Sequence, residues 1–337
     1  MANEHLENLY KVLEDTTTLL SRNLNTTYLD ALIETSENLL AHQVMHEDGL
    51  PDQATTDKLT ELYARVKPEQ LTPEIIRQAL QLTLIKVIQH DQIEPNKQMT
   101  PDSMASLASY MVTVFYPKLP NPFKVGDLAV GTGNLLYAVM NQLHQASEID
   151  VQGFGVDNDE QLLALAGVSG QWQQQTIDLF HQDALDQLVV KDLDLVVSDL
   201  PVGYYPLDDR AKNFATAAKS GHSYAHHLLI EQSMKTLKTG GLGLFFVPSE
   251  VFQSDEAKGL TDWLTKTVYF QGLLTLPESF FATKAAQKSL LVLQQPGETA
   301  QQAGKVLLGA FPEVSDRDAF GQFLTDVNQW AEQNIKK

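Results

Sequence analysis

The chain contains no cysteine. That absence removes disulfides, thiolate nucleophiles and cysteine-ligated zinc or iron–sulfur centres. Long apolar runs are missing too: the longest, 241–248, falls far short of the roughly 20 residues a helical membrane crossing needs. Residues 1–10 are polar and acidic, so no secretory signal and a soluble, cytoplasmic protein are expected. Basic charge is scarce: 24 Lys and Arg face 43 Asp and Glu, a net charge of −19. Residues 1–95 hold 16 acids and 7 bases (−9), leaving 27 and 17 (−10) for 96–337. Neither part is basic, and such a surface repels a phosphate backbone. The nearest approach to a basic cluster is Arg210, Lys212 and Lys219, which reads as a solvated loop. No repeat or low-complexity tract is present.

What is there divides in two, and 337 residues suffice for two domains. From Leu6 to about Ile88, apolar residues recur three and four apart (Leu6, Leu9, Tyr10, Leu13; Tyr28, Leu29, Leu32, Ile33) with no strand pattern. Thr72-Pro73-Glu74 predicts a helix start: a capping threonine, proline at the first helical position and an acid in the first turn. Residues 1–95 therefore read as a helical bundle, with a hinge at 92–96 and a second domain over 96–337. Thr100-Pro101 repeats the Thr-Pro helix start. Beyond Pro122 the period changes. Strand-like runs at 124–130, 151–156, 176–180 and 193–197 alternate with helical stretches, the signature of a parallel α/β sheet. Three more runs, at 243–247, 273–276 and 289–293, bring the expected sheet to seven strands.

Ligands of open α/β sheets bind at the carboxyl ends of the strands. Four strand ends here carry suitable groups. Asp127 precedes Gly131-Thr132-Gly133, whose glycines let backbone turn tightly and approach a ligand closely. Leu136 occupies the third glycine position of the dinucleotide fingerprint, which disfavours a dehydrogenase. Asp157 ends the next strand, where an acid accepts hydrogen bonds from both ribose hydroxyls. Asp183 follows the third and is placed to take a hydrogen bond from an adenine amine. Asp199-Leu200-Pro201-Val202 follows the fourth. An aromatic amine is a poor nucleophile because its lone pair is delocalised. A carboxylate (Asp199) and a main-chain carbonyl (Leu200) fixed by the following proline accept both amine hydrogens, orient the lone pair and stabilise the charge developing on nitrogen.

These motifs, in this order, resemble those of N6-adenine DNA methyltransferases of the gamma group. The modification subunits of type I restriction systems are similar, and the smaller stand-alone YtxK-like group more so. The family pattern is a Thr-Pro helix start, a DPACGTGxLL loop, two strand-end acids and [N/D]PP[Y/F]. It stands here as Thr100-Pro101, 127–136, Asp157, Asp183 and 199–202. Leu200 replaces the family's first proline and Val202 the aromatic residue that stacks a flipped base. Tyr204 and Tyr205, two and three residues later, are the substitutes for that stacking face.

The resemblance implies a class I, Rossmann-like fold with an N-terminal helical domain, S-adenosylmethionine as cofactor and the N6 amine of adenine in DNA as acceptor. The implied cofactor residues are Thr100, Asp127, Ala129, Gly131, Gly133, Asn134, Leu135, Asp157, Asn158, Asp183, Ala184, Asp199 and Pro201; the implied catalytic ones are Asp199, Leu200, Pro201, Tyr204 and Tyr205. After Leu293 only a short tail remains, with no room for the target-recognition domain many relatives carry. With the acidic charge, this predicts weak DNA binding without a partner subunit. Two other readings stand beside this one: a methyltransferase with the same cofactor acting on a protein side-chain amide, and a non-catalytic cofactor-binding or scaffold protein that keeps the fold.

Three remaining groups weigh less. His222, His226, His227 and Glu231 lack an HExxH pattern, and no metal is expected there. Ser198 has no nucleophile-elbow glycines. Phe280, Phe281, Lys284 and Lys288 are placed to flank a substrate groove, with packing as the alternative for the two aromatics.

Overall fold

The computed structural model describes residues 2–93, 100–254, 256–297 and 300–335. The hinge expected at 92–96 falls mostly outside the described residues.

Helices α1 (Ala2–Leu24), α2 (Tyr28–Ala41), α3 (Gln53–Tyr63) and α4 (Pro73–Asp91) form the N-terminal part. Each start after the first is chemically marked. Thr27 accepts from the Asp30 N–H, Asp52 from Thr55 and Thr72 from Ile75, each occupying a backbone donor the first turn leaves unpaired. The buried faces, Leu9 and Leu13 of α1, Leu29 and Leu32 of α2, Ile76 and Leu80 of α4, share one core with Leu162, Leu165, Val168 and Trp172 of α7 (Glu160–Trp172). A buried Leu or Ile stabilises by about 1.5–3 kcal/mol, so this shared core fastens the bundle to the α/β part.

The α/β part is one sheet: β1 (Phe123–Asp127), β2 (Val151–Asp157), β3 (Thr176–His181), β4 (Leu193–Asp199), β5 (Leu237–Pro248), β6 (Tyr269–Thr275), β7 (Lys288–Gln294) and β8 (Leu307–Ala310). Their order is β3-β2-β1-β4-β5-β7-β6-β8. Strand β7 runs antiparallel to both neighbours and the remaining pairs are parallel. The expected mostly parallel sheet is present, with eight strands instead of seven. Strand β8, Leu-Leu-Gly-Ala, is a four-residue edge strand, largely exposed and without a β-branched residue, so it leaves no period-two signal.

Alternation along the strands sorts side chains to two faces. Leu195 and Val197 join α5 (Asp102–Phe115), α6 (Asn134–Ser147) and α11 (Arg317–Asn334) on one face. Val196, Phe245 and Val247 meet α9 (Ala225–Thr236) and α10 (Ala257–Thr267) on the other. The chain after Leu293 is thus a strand and a packed helix, Trp330 of α11 lying against Phe115. Strand β1 is followed by β2 on one side and its neighbour β4 by β5 on the other, so the connections leaving β1 and β4 diverge and open a crevice above their carboxyl ends.

Candidate active site

The loop 128–133 joins β1 to α6. Gly131 has φ +51°, and a Cβ placed on it would meet nothing within 4 Å. Gly133, at φ +76°, is the N-cap of α6, and a Cβ there would stand 2.4 Å from the Tyr137 ring. The first glycine thus leaves space above the loop and the second lets the loop pack beneath. Asp157 at the end of β2 clamps this turn: Oδ2 accepts from the Gly131 N–H (2.7 Å) and Oδ1 from the Asp159 N–H (2.9 Å). Asp127 lies under the loop, 2% exposed, accepting from the Ala129 N–H (3.0 Å) and the Ser198 hydroxyl (2.6 Å). Ser198 is therefore a donor to Asp127.

Burial pushes the Asp127 carboxyl up to about 7, with Asp157 and Asp199 adding repulsion against the hydrogen bonds that oppose it. A carboxyl raised above its unfolded value favours the fold fully at low pH, and that contribution is lost as pH rises from about 4 to about 7. Asp127→Asn is therefore expected to lose less stability than the wild type between pH 4 and pH 8, by on the order of a few kcal/mol. Parallel unfolding curves for the two proteins across that window would contradict the buried, protonatable carboxyl.

Asp183 accepts from the Leu185 N–H (2.9 Å), the Tyr205 hydroxyl and the Arg210 guanidinium (both 2.5 Å). Arg210, on the short helix α8 (Asp208–Ala211), also pairs with Asp186 at 2.9 Å, so the segment expected to be a solvated loop supplies the cation for Asp183. Tyr205 is 8% exposed and packs into the core below the cleft, whereas Tyr204 is 53% exposed at its wall. Tyr204 stacks on Tyr224 with ring centroids 4.5 Å apart, and its hydroxyl reaches Glu256 at 3.3 Å.

Asp199 ends β4. Its Oδ2 accepts from the Thr100 hydroxyl at 2.8 Å and its Oδ1 from the Lys288 ammonium group; the same Nζ lies 3.4 Å from the Leu200 carbonyl oxygen. Thr100 corrects one reading. Helix α5 begins at Asp102 with Pro101 as its N-cap, and the Thr100 hydroxyl is committed to Asp199 instead of capping its own helix as Thr72 does. Behind Thr100 stands a buried relay: the Asn134 amide donates to the Thr100 carbonyl (2.9 Å), and Arg77 of α4 donates to the Asn134 side-chain oxygen (2.7 Å). Arg77 is 2% exposed and pairs with Glu74 (2.6 Å) and Asp102 (3.0 Å). Burial works against its charge, but the two carboxylates outweigh it and hold its proton more firmly than usual.

These groups surround one cleft of about 900 Å³ at the carboxyl ends of β1, β2 and β4. Every residue expected to bind cofactor or act in catalysis lines it except Gly133, which serves beneath the loop. Phe280, Phe281 and Lys288 line it as well; Lys284 turns to Glu278, 3.4 Å away. Among the described residues lining the cleft, five are aspartates and Lys288 is the one cation. His226 and His227 are buried imidazoles, pushed by burial down to about 3 and about 4 and hydrogen bonded to the Pro201 and Val251 backbone. Among the described residues, no group of three or more His, Asp or Glu is arranged to hold a metal ion. Nor is any described helix long and apolar enough to cross a membrane.

Comparison with known proteins decides the family. Residues 83–337 match the N-6 DNA methylase family, and residues 7–88 match the YtxK N-terminal helical domain. The chain belongs to the N-6 DNA methylase family. It is 36% identical over 330 residues to YtxK of Bacillus subtilis, covering 98% of both chains. A Listeria monocytogenes structure assigned as a class I S-adenosylmethionine-dependent methyltransferase superposes with a TM-score of 0.91 at 36% identity, covering 98% of this chain and 99% of that one. The methyltransferase subunit of a type I restriction-modification system from Streptococcus thermophilus shares the fold, with a TM-score of 0.67 at 15% identity over 94% of this chain and 74% of that one.

Membership makes the protein an S-adenosylmethionine-dependent methyltransferase. The cleft fits that cofactor. The space above Gly131 admits a ligand against backbone, Asp157 retains acceptor capacity for a ribose diol, and the ring of aspartates suits a cationic sulfonium.

Proposed function

We propose that this methyltransferase acts on the exocyclic N6 amine of adenine in nucleic acid, with residues 1–95 as a helical domain and 96–337 as the catalytic domain. The observation that carries the reading is the convergence of the Asp199 carboxylate and the Leu200 carbonyl on one position, since a single nitrogen, that of Lys288, bonds both. When bound, S-adenosylmethionine supplies an electrophilic methyl group. The rest is done by the chain. Asp199 and the Leu200 carbonyl accept the two amine hydrogens, which turns the lone pair out of conjugation. The carboxylate then stabilises the charge that develops on nitrogen and is the nearest acceptor for the departing proton. Thr100 fixes the carboxylate from its other oxygen.

Stacking of the base falls to Tyr204. Its ring is exposed, lines the cleft and is braced by Tyr224, whereas Tyr205 is buried with its hydroxyl on Asp183. Base–aromatic stacking contributes roughly 1–3 kcal/mol, so Tyr204→Ala is expected to weaken transfer to nucleic acid by about tenfold to a hundredfold. Transfer to DNA unchanged in that variant would remove Tyr204 from the acceptor site. The net charge of −19 makes DNA affinity weak and salt-sensitive, and a more basic partner subunit would supply the missing cations. Transfer of labelled methyl groups to DNA, RNA and extract protein tests the acceptor class. Label in nucleic acid supports the reading; label confined to protein would replace it with an amide or other protein acceptor. The cytoplasm, where both cofactor and DNA are at hand, is the proposed location.

A further inference from the structure

Lys288 is the first residue of β7, directly after the segment 280–287 that forms one wall of the cleft. Among the described residues its ammonium group is the one nitrogen bonded to both Asp199 and the Leu200 carbonyl, the pair assigned to the acceptor amine. Only 18% of the side chain is exposed, so the group is seated within the wall and not waving across the opening. Asp199 has a second partner, Thr100, on its other oxygen, so the carboxylate stays positioned if the lysine leaves. An amine and this ammonium group cannot occupy the same position between these two acceptors together.

We propose that Lys288 is the resident occupant of the amine site and gates it: an acceptor amine binds only when the Lys288 ammonium group withdraws from Asp199 and Leu200. The inference rests on the assignment of those two groups as the amine's acceptors. The site is then self-quenched. Its carboxylate is neutralised while no substrate is present, and small amines are refused unless they displace a cation already held there. A nucleic acid offers compensation that a free nucleoside does not, because its phosphates can receive the displaced ammonium group at the cleft wall. The apparent affinity for any acceptor falls by the fraction of time the site is vacant, so a lysine seated about nine-tenths of the time weakens binding about tenfold.

Two probes test this on the full chain saturated with S-adenosylhomocysteine: 2′-deoxyadenosine and butylammonium, titrated by calorimetry into wild type, Lys288→Ala and Lys288→Arg. Butylammonium is expected to bind Lys288→Ala and not the wild type or Lys288→Arg, because only the alanine variant leaves the two acceptors bare. Deoxyadenosine is expected to bind Lys288→Ala at least tenfold more tightly than the wild type. Deoxyadenosine binding that is equal or weaker in Lys288→Ala would overturn the gate and make Lys288 a group that helps hold the acceptor. Butylammonium binding to the alanine variant with no deoxyadenosine binding to any protein would keep the occupied amine site and sink adenine as its acceptor. Binding of neither probe to Lys288→Ala, with S-adenosylhomocysteine still bound, would refute both. Matching thermal melts of the three proteins exclude misfolding as the cause.

Discussion

Asp199→Ala is expected to lower methyl transfer by about a hundredfold to a thousandfold while leaving the Kd for S-adenosylhomocysteine within a few-fold of the wild type. The carboxylate meets Lys288 at the position proposed for the amine, and its proposed work is to align nitrogen and stabilise charge that appears only in the transition state. Loss of an interaction made only there lowers kcat and kcat/KM together. Asp199→Asn keeps one acceptor oxygen for an amine hydrogen and turns its NH2 to the Thr100 hydroxyl as a donor, so it is expected to retain more activity than the alanine variant. Calorimetric cofactor titration beside single-turnover transfer separates the two effects. A Kd raised as steeply as the rate falls would move Asp199 from acceptor alignment to cofactor binding.

The second large effect is structural. Arg77 is a buried guanidinium whose partners Glu74 and Asp102 are about half-exposed, with side-chain exposures of 40% and 44%. Arg77→Leu removes the charge but lets both carboxylates rehydrate, so the expected cost is about 2–4 kcal/mol, toward the low end for breaking a buried ion pair. The same change frees Asn134, which then holds the Thr100 carbonyl less well, and Thr100 in turn positions Asp199. Cofactor affinity and transfer are therefore expected to fall beyond what lost stability explains. Arg77→Lys recovers only part of this, since an ammonium group cannot reproduce the fork that spans Glu74 and Asn134. Urea unfolding of the three proteins, with cofactor titration of each, measures both terms. A variant of wild-type stability would show that the helical part is not fastened to the active loop through this residue.

The sheet and its ligand loops were legible in the sequence because their signals are local. Short apolar runs alternating with helical stretches mark β1 to β7, and Gly131, Gly133 and the strand-end aspartates mark the cleft. What escaped detection depends on long-range contacts. Thr72-Pro73 and Thr100-Pro101 look alike, yet one threonine caps its helix and the other reaches Asp199, 99 residues away. Arg210 reads as part of a solvated loop and Arg77 carries no motif of its own, and only the fold turns them onto Asp183 and Asn134. The sequence places Lys288 beside a substrate groove and no more, because the aspartate it meets lies 89 residues away. Burial separates Tyr204 from Tyr205, neighbours that both line the cleft, and no spacing in the sequence records it.

On the proposed reading, the Asp199–Leu200 pair presents an adenine amine for methylation. Nucleoside mass spectrometry of DNA incubated with the protein and S-adenosylmethionine bearing a deuterated methyl group tests it most directly. The expected product is N6-methyldeoxyadenosine carrying the deuterated methyl group, formed by the wild type and lost in Asp199→Ala. Bound cofactor with no labelled deoxyadenosine, or equal labelling by the wild type and Asp199→Ala, would contradict it.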